Sequence, residues 1–162
     1  MTIDQLQLAP NARKGAEWAR ATFPDLVFTS GRRDTYGQAR AMAWNVVTRG
    51  QNWLMQTYKP SPLLTTLQTW LSQHPEADDR DTIADGFYQV FLAAHSNDVM
   101  RFSRHFTGDA WDAAWPLEPG RGEIIVAKIR REMPKEYGLD KVIDKEGDLR
   151  VIHVQFAPSV DI

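Results

Sequence analysis

Apolar residues recur at helical spacing in several stretches of the chain, and Gly, Pro and capping residues separate these stretches. The residue pattern predicts helices within residues 11–24, 34–50, 61–75, 78–98 and 120–134, and residues 52–60 continue in helical character up to Pro60. Asp34 or Thr35 marks the start of one helix. Ser61 followed by Pro62 marks the start of another, since these residue types favour an N-cap and a first helical position.

Other segments alternate or are rich in β-branched and aromatic residues. DLVFTS (25–30) predicts a strand, RFSRHFTGDAWDAAW (101–115) two short strands around Gly108, and VIDKEGDLRVIHVQF (142–156) a hairpin that turns at KEGD. The fold class predicted is α+β, a small, mainly antiparallel sheet with helices packed on it. We expect one domain over residues 1–162, with the helices between residues 35 and 95 on one face of the sheet.

The composition of the chain limits the kinds of functional site and partner that it can have. The chain has 162 residues and no cysteine, which excludes disulfides and thiolate metal sites, and its histidines are His74, His95, His105 and His153. The net charge of −2 argues against nucleic acid as a partner. With neither a signal-like N-terminus nor a run of about 20 apolar residues, we expect no membrane insertion and a protein made in the cytoplasm. The oligomeric state is left open.

Three of the polar residues are predicted to converge. If two strands meet at the turn after Phe106, His105 and Asp112 lie on one face of the sheet, and His153 in a later strand can complete the set. Two imidazoles and a carboxylate, with a fourth position open, are how proteins hold a catalytic zinc. The alternative for the first pair is a surface loop whose aspartate bonds locally, and for His153 a half-buried strand histidine with a hydrogen bond.

The segment SRHFTGDAWD resembles the Ser-x-His-x-x-Gly-x-Ala-x-Asp signature of the zinc D-Ala-D-Ala peptidases, which include VanX-type dipeptidases and phage L-alanyl-D-glutamate endopeptidases. Its fixed positions are Ser103, His105, Gly108, Ala110 and Asp112. The segments FTSGRRD and VIHVQF match the family's early Ser-Gly-x-Arg segment and its late histidine strand, in the same order. The resemblance implies the hedgehog-like zinc fold of that family.

The resemblance also implies roles. His105, Asp112 and His153 are the expected Zn²⁺ ligands, and Arg33 is expected to contact substrate and to stabilise developing charge. Ser103 and Gln38 are further candidates for substrate binding. For Arg33 the alternative is a turn arginine in a surface ion pair, and for Gln38 a solvated helix residue. Ser103 is not expected to be a nucleophile, because no Gly-x-Ser-x-Gly elbow surrounds it, and a hydrogen bond to neighbouring backbone or to substrate is expected instead.

One position departs from the family pattern. The catalytic carboxylate is usually three residues before the last zinc histidine, and here that residue is Arg150. Asp148 is the nearest carboxylate and is our predicted base, provided that a bulge or turn aims it at the metal; Glu146 comes next.

The function expected from the resemblance is hydrolysis of amide bonds in peptidoglycan stem peptides, by a carboxypeptidase or an endolysin-type endopeptidase of phage or prophage origin. Such an enzyme would reach the cell wall after phage-type release. Two alternatives stay open. One is a catalytically inactive, zinc-stabilised module that binds peptidoglycan or serves a structural role, and the other is a helical interaction protein without metal.

Overall fold

A computed structural model describes residues 1–146 and 149–159 of the chain. Within them, short 3-10 turns occupy Asp4–Leu6 and Lys135–Tyr137. The helices are α1 (Pro10–Thr22), α2 (Thr35–Arg49), α3 (Trp53–Thr57), α4 (Pro62–Gln73), α5 (Arg80–Ala93), α6 (Ser96–Phe102), α7 (Arg104–Thr107) and α8 (Arg121–Glu132). The strands are β1 (Phe28–Ser30), β2 (Ala110–Ala114), β3 (Leu139–Glu146) and β4 (Leu149–Phe156). The predicted α+β class and antiparallel sheet are confirmed.

The helix starts follow from their capping residues. The Asp34 side chain accepts a hydrogen bond from the Gly37 N–H at 2.6 Å at the start of α2. The Ser61 hydroxyl accepts one from the Leu64 N–H at 3.1 Å at the start of α4. Each side chain satisfies a backbone donor that lacks a partner within the helix, as the sequence predicts.

The sheet has the strand order β1-β2-β4-β3, and each neighbouring pair is antiparallel. The predicted hairpin is β3 and β4, while β2 pairs with the other side of β4. This order places β2 and β4, the two strands that carry Asp112 and His153, next to each other in the middle of the sheet.

The chain forms two compact units, each with its own apolar core. The first unit comprises residues 1–32 and the described residues from Thr107 onward, and α1 and α8 pack on its sheet. The second comprises Arg33–Phe106, where α2, α4 and α5 bury their apolar faces against one another. The sheet's own core is formed with α1 and α8, and the expectation that the helices between residues 35 and 95 lie on one face of the sheet stays a prediction.

The segment before Gly108 is helical, which corrects the prediction of a strand there. α6 and α7 follow each other with a break at Ser103, and His105 lies in the single turn of α7. Val99 of α6 and Phe106 of α7 are buried, and Phe102 packs against the same core. Packing of these apolar residues decides the structure, since the short pattern RFSRHF fits both periods.

A search of the described part of the chain found no helix that is both long and apolar enough to cross a membrane.

Candidate metal centre

His105 is held by its backbone as well as by burial. Its carbonyl oxygen accepts a hydrogen bond from the Arg33 N–H at 3.0 Å, and its own N–H lies 3.4 Å from the Ser103 hydroxyl oxygen, which accepts. The residue is buried. Ser103 therefore bonds to neighbouring backbone, one of the two roles expected for it.

Gly108 makes the turn between α7 and β2, in the left-handed region with φ of +77°. Its carbonyl oxygen accepts from the Ala9 N–H at 3.0 Å. A Cβ at this position would meet the Ala9 nitrogen at 3.0 Å and the Gln7 carbonyl oxygen at 3.1 Å. Both the left-handed backbone conformation and the close packing at Gly108 thus favour glycine at this position of the motif.

We expect Gly108→Ala to destabilise the protein more than Gly120→Ala does. Both glycines have φ of +77°, so each substitution carries about 1–2 kcal/mol of left-handed strain, but a Cβ added at Gly120 would have nothing within 4 Å. Urea unfolding of both variants measures the difference. Equal losses would show that the crowding against Ala9 and Gln7 contributes nothing.

Asp112 and His153 lie directly opposite each other on β2 and β4. Antiparallel partners have Cβ atoms about 5 Å apart, and here Asp112 Oδ1 lies 2.6 Å from His153 Nδ1. Both side chains are buried, with residue exposures of 5% and 3%. Their strand neighbours Trp111 and Ile152 belong to the core formed with α1 and α8, so alternation places the polar pair on the opposite face of the sheet.

His105, Asp112 and His153 together form a buried cluster that could bind a metal ion. One potential ligand atom from each residue lies within 4.8 Å of those from the other two, and no other such group of three occurs among residues 1–146 and 149–159. A carboxylate this deeply buried needs a compensating charge or hydrogen bonds. Two imidazoles and one carboxylate form a donor set that suits zinc, and they leave a coordination position for another group.

Glu146 supplies a second carboxylate beside this cluster. Its Oε1 lies 3.3 Å from His153 Nδ1, and its side chain is 24% exposed. The buried carboxylate of Asp112 thus lies within the cluster, and the solvent-accessible carboxylate of Glu146 lies beside it. Asp148, the predicted base, lies outside the described residues.

A register shift between β3 and β4 brings Glu146 to this face. Ile143 lies opposite His153, and a regular ladder would then pair Glu146 with Arg150, on the face away from His153. The pairing shifts between Ile143 and Lys145, so that Glu146 lies opposite Leu149. Leu149 is four residues before His153 and shares its face by strand alternation.

Arg150, which takes the family's carboxylate position, is engaged elsewhere. Its Nη1 donates to Glu123 Oε1 of α8 at 2.8 Å, and its guanidinium carbon lies 4.6 Å from the centre of the Trp115 ring. The hydrogen bond from Arg150 holds the pKa of the Glu123 carboxyl below its ordinary value. Arg150 therefore belongs to the face that packs on α8 rather than to the face of His153.

Gln38 is not the solvated residue that one reading of the sequence allowed, because only 1% of it is exposed. Its Oε1 accepts from Arg33 Nη1 at 3.1 Å, and its Nε2 donates to the Tyr58 hydroxyl oxygen at 3.0 Å. Sequence reasoning missed Tyr58 because no local pattern relates it to Arg33. Gln38 lies in α2 on the side of the helix that carries Ala39 and Met42, and this position was the available signal that Gln38 is buried.

The remaining histidines lie at helix ends. His74 is the C-cap of α4, and its Nδ1 lies 2.8 Å from the Trp70 carbonyl oxygen. His95 is the N-cap of α6, where its Nδ1 accepts from the Asn97 N–H at 3.3 Å. Neither takes part in the cluster with His105.

Comparisons of the chain with models of known protein families, with curated proteins and with solved structures found no match. The family membership suggested by the motif therefore stays a prediction.

Proposed function

We propose that the protein is a zinc-dependent peptidase that hydrolyses amide bonds in the stem peptides of bacterial peptidoglycan. The observation that carries the proposal is the buried cluster of His105, Asp112 and His153, with the Glu146 carboxylate 3.3 Å from His153 Nδ1. A metal-binding donor set and an accessible carboxylate at one place are the parts that hydrolysis of an amide requires. The peptidoglycan substrate comes from the resemblance of SRHFTGDAWD to the D-Ala-D-Ala peptidases.

His105, Asp112 and His153 would hold the zinc, which supplies a Lewis acid that polarises an amide carbonyl and acidifies water. Glu146, whose Oε1 lies 3.3 Å from His153 Nδ1, would accept a proton from the attacking water and return it to the leaving amine, as a general base and then a general acid. Arg33 offers planar donors that suit a substrate carboxylate or peptide carbonyl. The motif fits an endolysin-type enzyme of phage or prophage origin, which would reach the cell wall after phage-type release.

The test is cleavage of purified peptidoglycan by protein stripped of metal and then restored with one equivalent of zinc. We expect new amino groups only after restoration, and mass spectrometry of the products identifies the bond that is cut. Zinc-loaded protein that releases no amino groups from peptidoglycan contradicts the proposed function.

A catalytically inactive zinc module is the second candidate, and the observation that favours it is Arg150 at the family's carboxylate position. Such a protein would sediment with peptidoglycan, or gain thermal stability with zinc, without releasing amino groups. The cluster of only three potential ligands, with the accessible Glu146 carboxylate beside it, favours the enzyme, because a purely structural zinc site is normally closed by four protein ligands.

A further inference from the structure

Arg33 is joined to a short chain of polar side chains that sequence reasoning did not connect. Gln38 Oε1 accepts from the Arg33 guanidinium at 3.1 Å, and Gln38 Nε2 donates to the Tyr58 hydroxyl at 3.0 Å. A guanidinium has no acceptor, so it fixes the orientation of the Gln38 amide, with the oxygen toward Arg33 and the nitrogen toward Tyr58. The three residues come from the loop before α2, from α2 itself and from the end of α3.

Aromatic packing holds the Tyr58 end of these hydrogen-bonded side chains. The Tyr58 ring stacks on Phe102 with centroids 4.5 Å apart and meets Trp53 edge-on at 5.7 Å. Gln38 is buried, so water does not replace a hydrogen bond that it loses. The aromatic packing thus fixes the Tyr58 hydroxyl, and the hydroxyl in turn fixes the amide.

Arg33 is also tied at its backbone, because its N–H donates to the carbonyl oxygen of His105 at 3.0 Å. One residue therefore has its main chain bonded to a candidate metal ligand and its guanidinium bonded to a buried amide. A binding group gains affinity and selectivity when its geometry is set before the ligand arrives.

We propose that Gln38 and Tyr58 are positioning residues that fix the Arg33 guanidinium for a carboxylate or peptide carbonyl of the substrate. The substrate part of this inference rests on the proposed function, whereas the positioning of Arg33 does not. Gln38 acts through Arg33 and does not itself contact substrate, which revises the substrate-binding role expected for it.

The test of positioning uses the folded, full-length protein without any substrate. Rotation of the Arg33 guanidinium about its Nε–Cζ bond is measured by NMR of ¹⁵N-labelled protein, with the signals assigned through Arg33→Lys. We expect slow rotation in the wild type, and faster rotation in Tyr58→Phe, which keeps the aromatic packing, and in Gln38→Met, which keeps the volume. Tyr88→Phe and Gln68→Met, in the same unit, are the matched controls and should change nothing. Rotation that is fast in the wild type, or that is unchanged in both variants, overturns the proposal.

The substrate part is read from the kinetics of the zinc-loaded protein on a peptidoglycan stem peptide. We expect Tyr58→Phe to raise KM about tenfold, the loss expected for one weakened hydrogen bond to a charged group, with kcat within about twofold. An unchanged KM overturns the proposed role of Gln38 and Tyr58 in substrate binding. Absence of cleavage in the wild type refutes the proposed function instead, and the NMR result then decides the positioning by itself.

Discussion

Replacing His105, Asp112 or His153 with Ala is expected to remove zinc binding from the protein. Each residue offers one potential ligand atom to a cluster of three, and loss of a residue that only supports a metal ligand already costs about 10–100-fold in affinity. We therefore expect zinc affinity to fall by more than about 100-fold in each variant. Competition titration against a chelator of known affinity measures it.

His95→Ala is the matched control, because His95 caps α6 and lies outside the cluster. His153→Ala also removes the imidazole from beside the buried Asp112 carboxylate, and losing a hydrogen bond to a charged group costs about 1.5–3 kcal/mol. Asp112→Asn avoids that charge and separates metal binding from folding. Full zinc affinity in a folded Asp112→Asn or His105→Ala protein would show that the ion binds elsewhere.

Glu146→Gln is expected to keep zinc and to lose catalysis. The substitution preserves size and removes only the ability to accept a proton, and general acid–base groups contribute typically about 10²–10⁴-fold to rate. Because Glu146 lies 3.3 Å from His153 Nδ1, we expect kcat on peptidoglycan peptides to fall in that range. Zinc stoichiometry, measured on the same preparation, should stay at one equivalent.

Asp148→Ala and Asp144→Asn complete this series. Asp148 was the base predicted from the sequence, and Asp144 is a carboxylate of β3 close to Glu146 in the chain. We expect both variants to retain most of the activity. If Asp148→Ala abolishes cleavage and Glu146→Gln does not, the base is Asp148, as the sequence alone predicted.

Much of the fold and of the candidate site can be predicted from local sequence patterns. Asp34 and Ser61 predict the starts of α2 and α4, and the β-rich run around His153 predicts β4, because capping and alternation are short-range effects. The three residues of the metal cluster are also predictable, although the secondary structure assigned to His105 was wrong. Packing of Phe106 in the core of the second unit selects a helical turn there.

Other features depend on interactions between distant residues. The shift in strand pairing after Ile143 turns Glu146 toward His153, and no residue type in β3 predicts that shift. The burial of Gln38 follows from Tyr58, twenty residues away, which accepts its amide hydrogen. Sequence pattern therefore finds the residues of the candidate metal centre, while Glu146 beside it and the partners of Arg33 become visible only from the pairing of strands and the packing of helices.

Anomalous diffraction at the zinc absorption edge, from crystals of protein purified without chelators, decides whether the three residues bind zinc. We expect one zinc peak about 2.0–2.2 Å from a nitrogen of His105, a nitrogen of His153 and a carboxylate oxygen of Asp112, with the Glu146 carboxylate beside the remaining coordination position. No peak at these residues in zinc-soaked crystals, or a peak at other residues, would contradict the proposed metal centre.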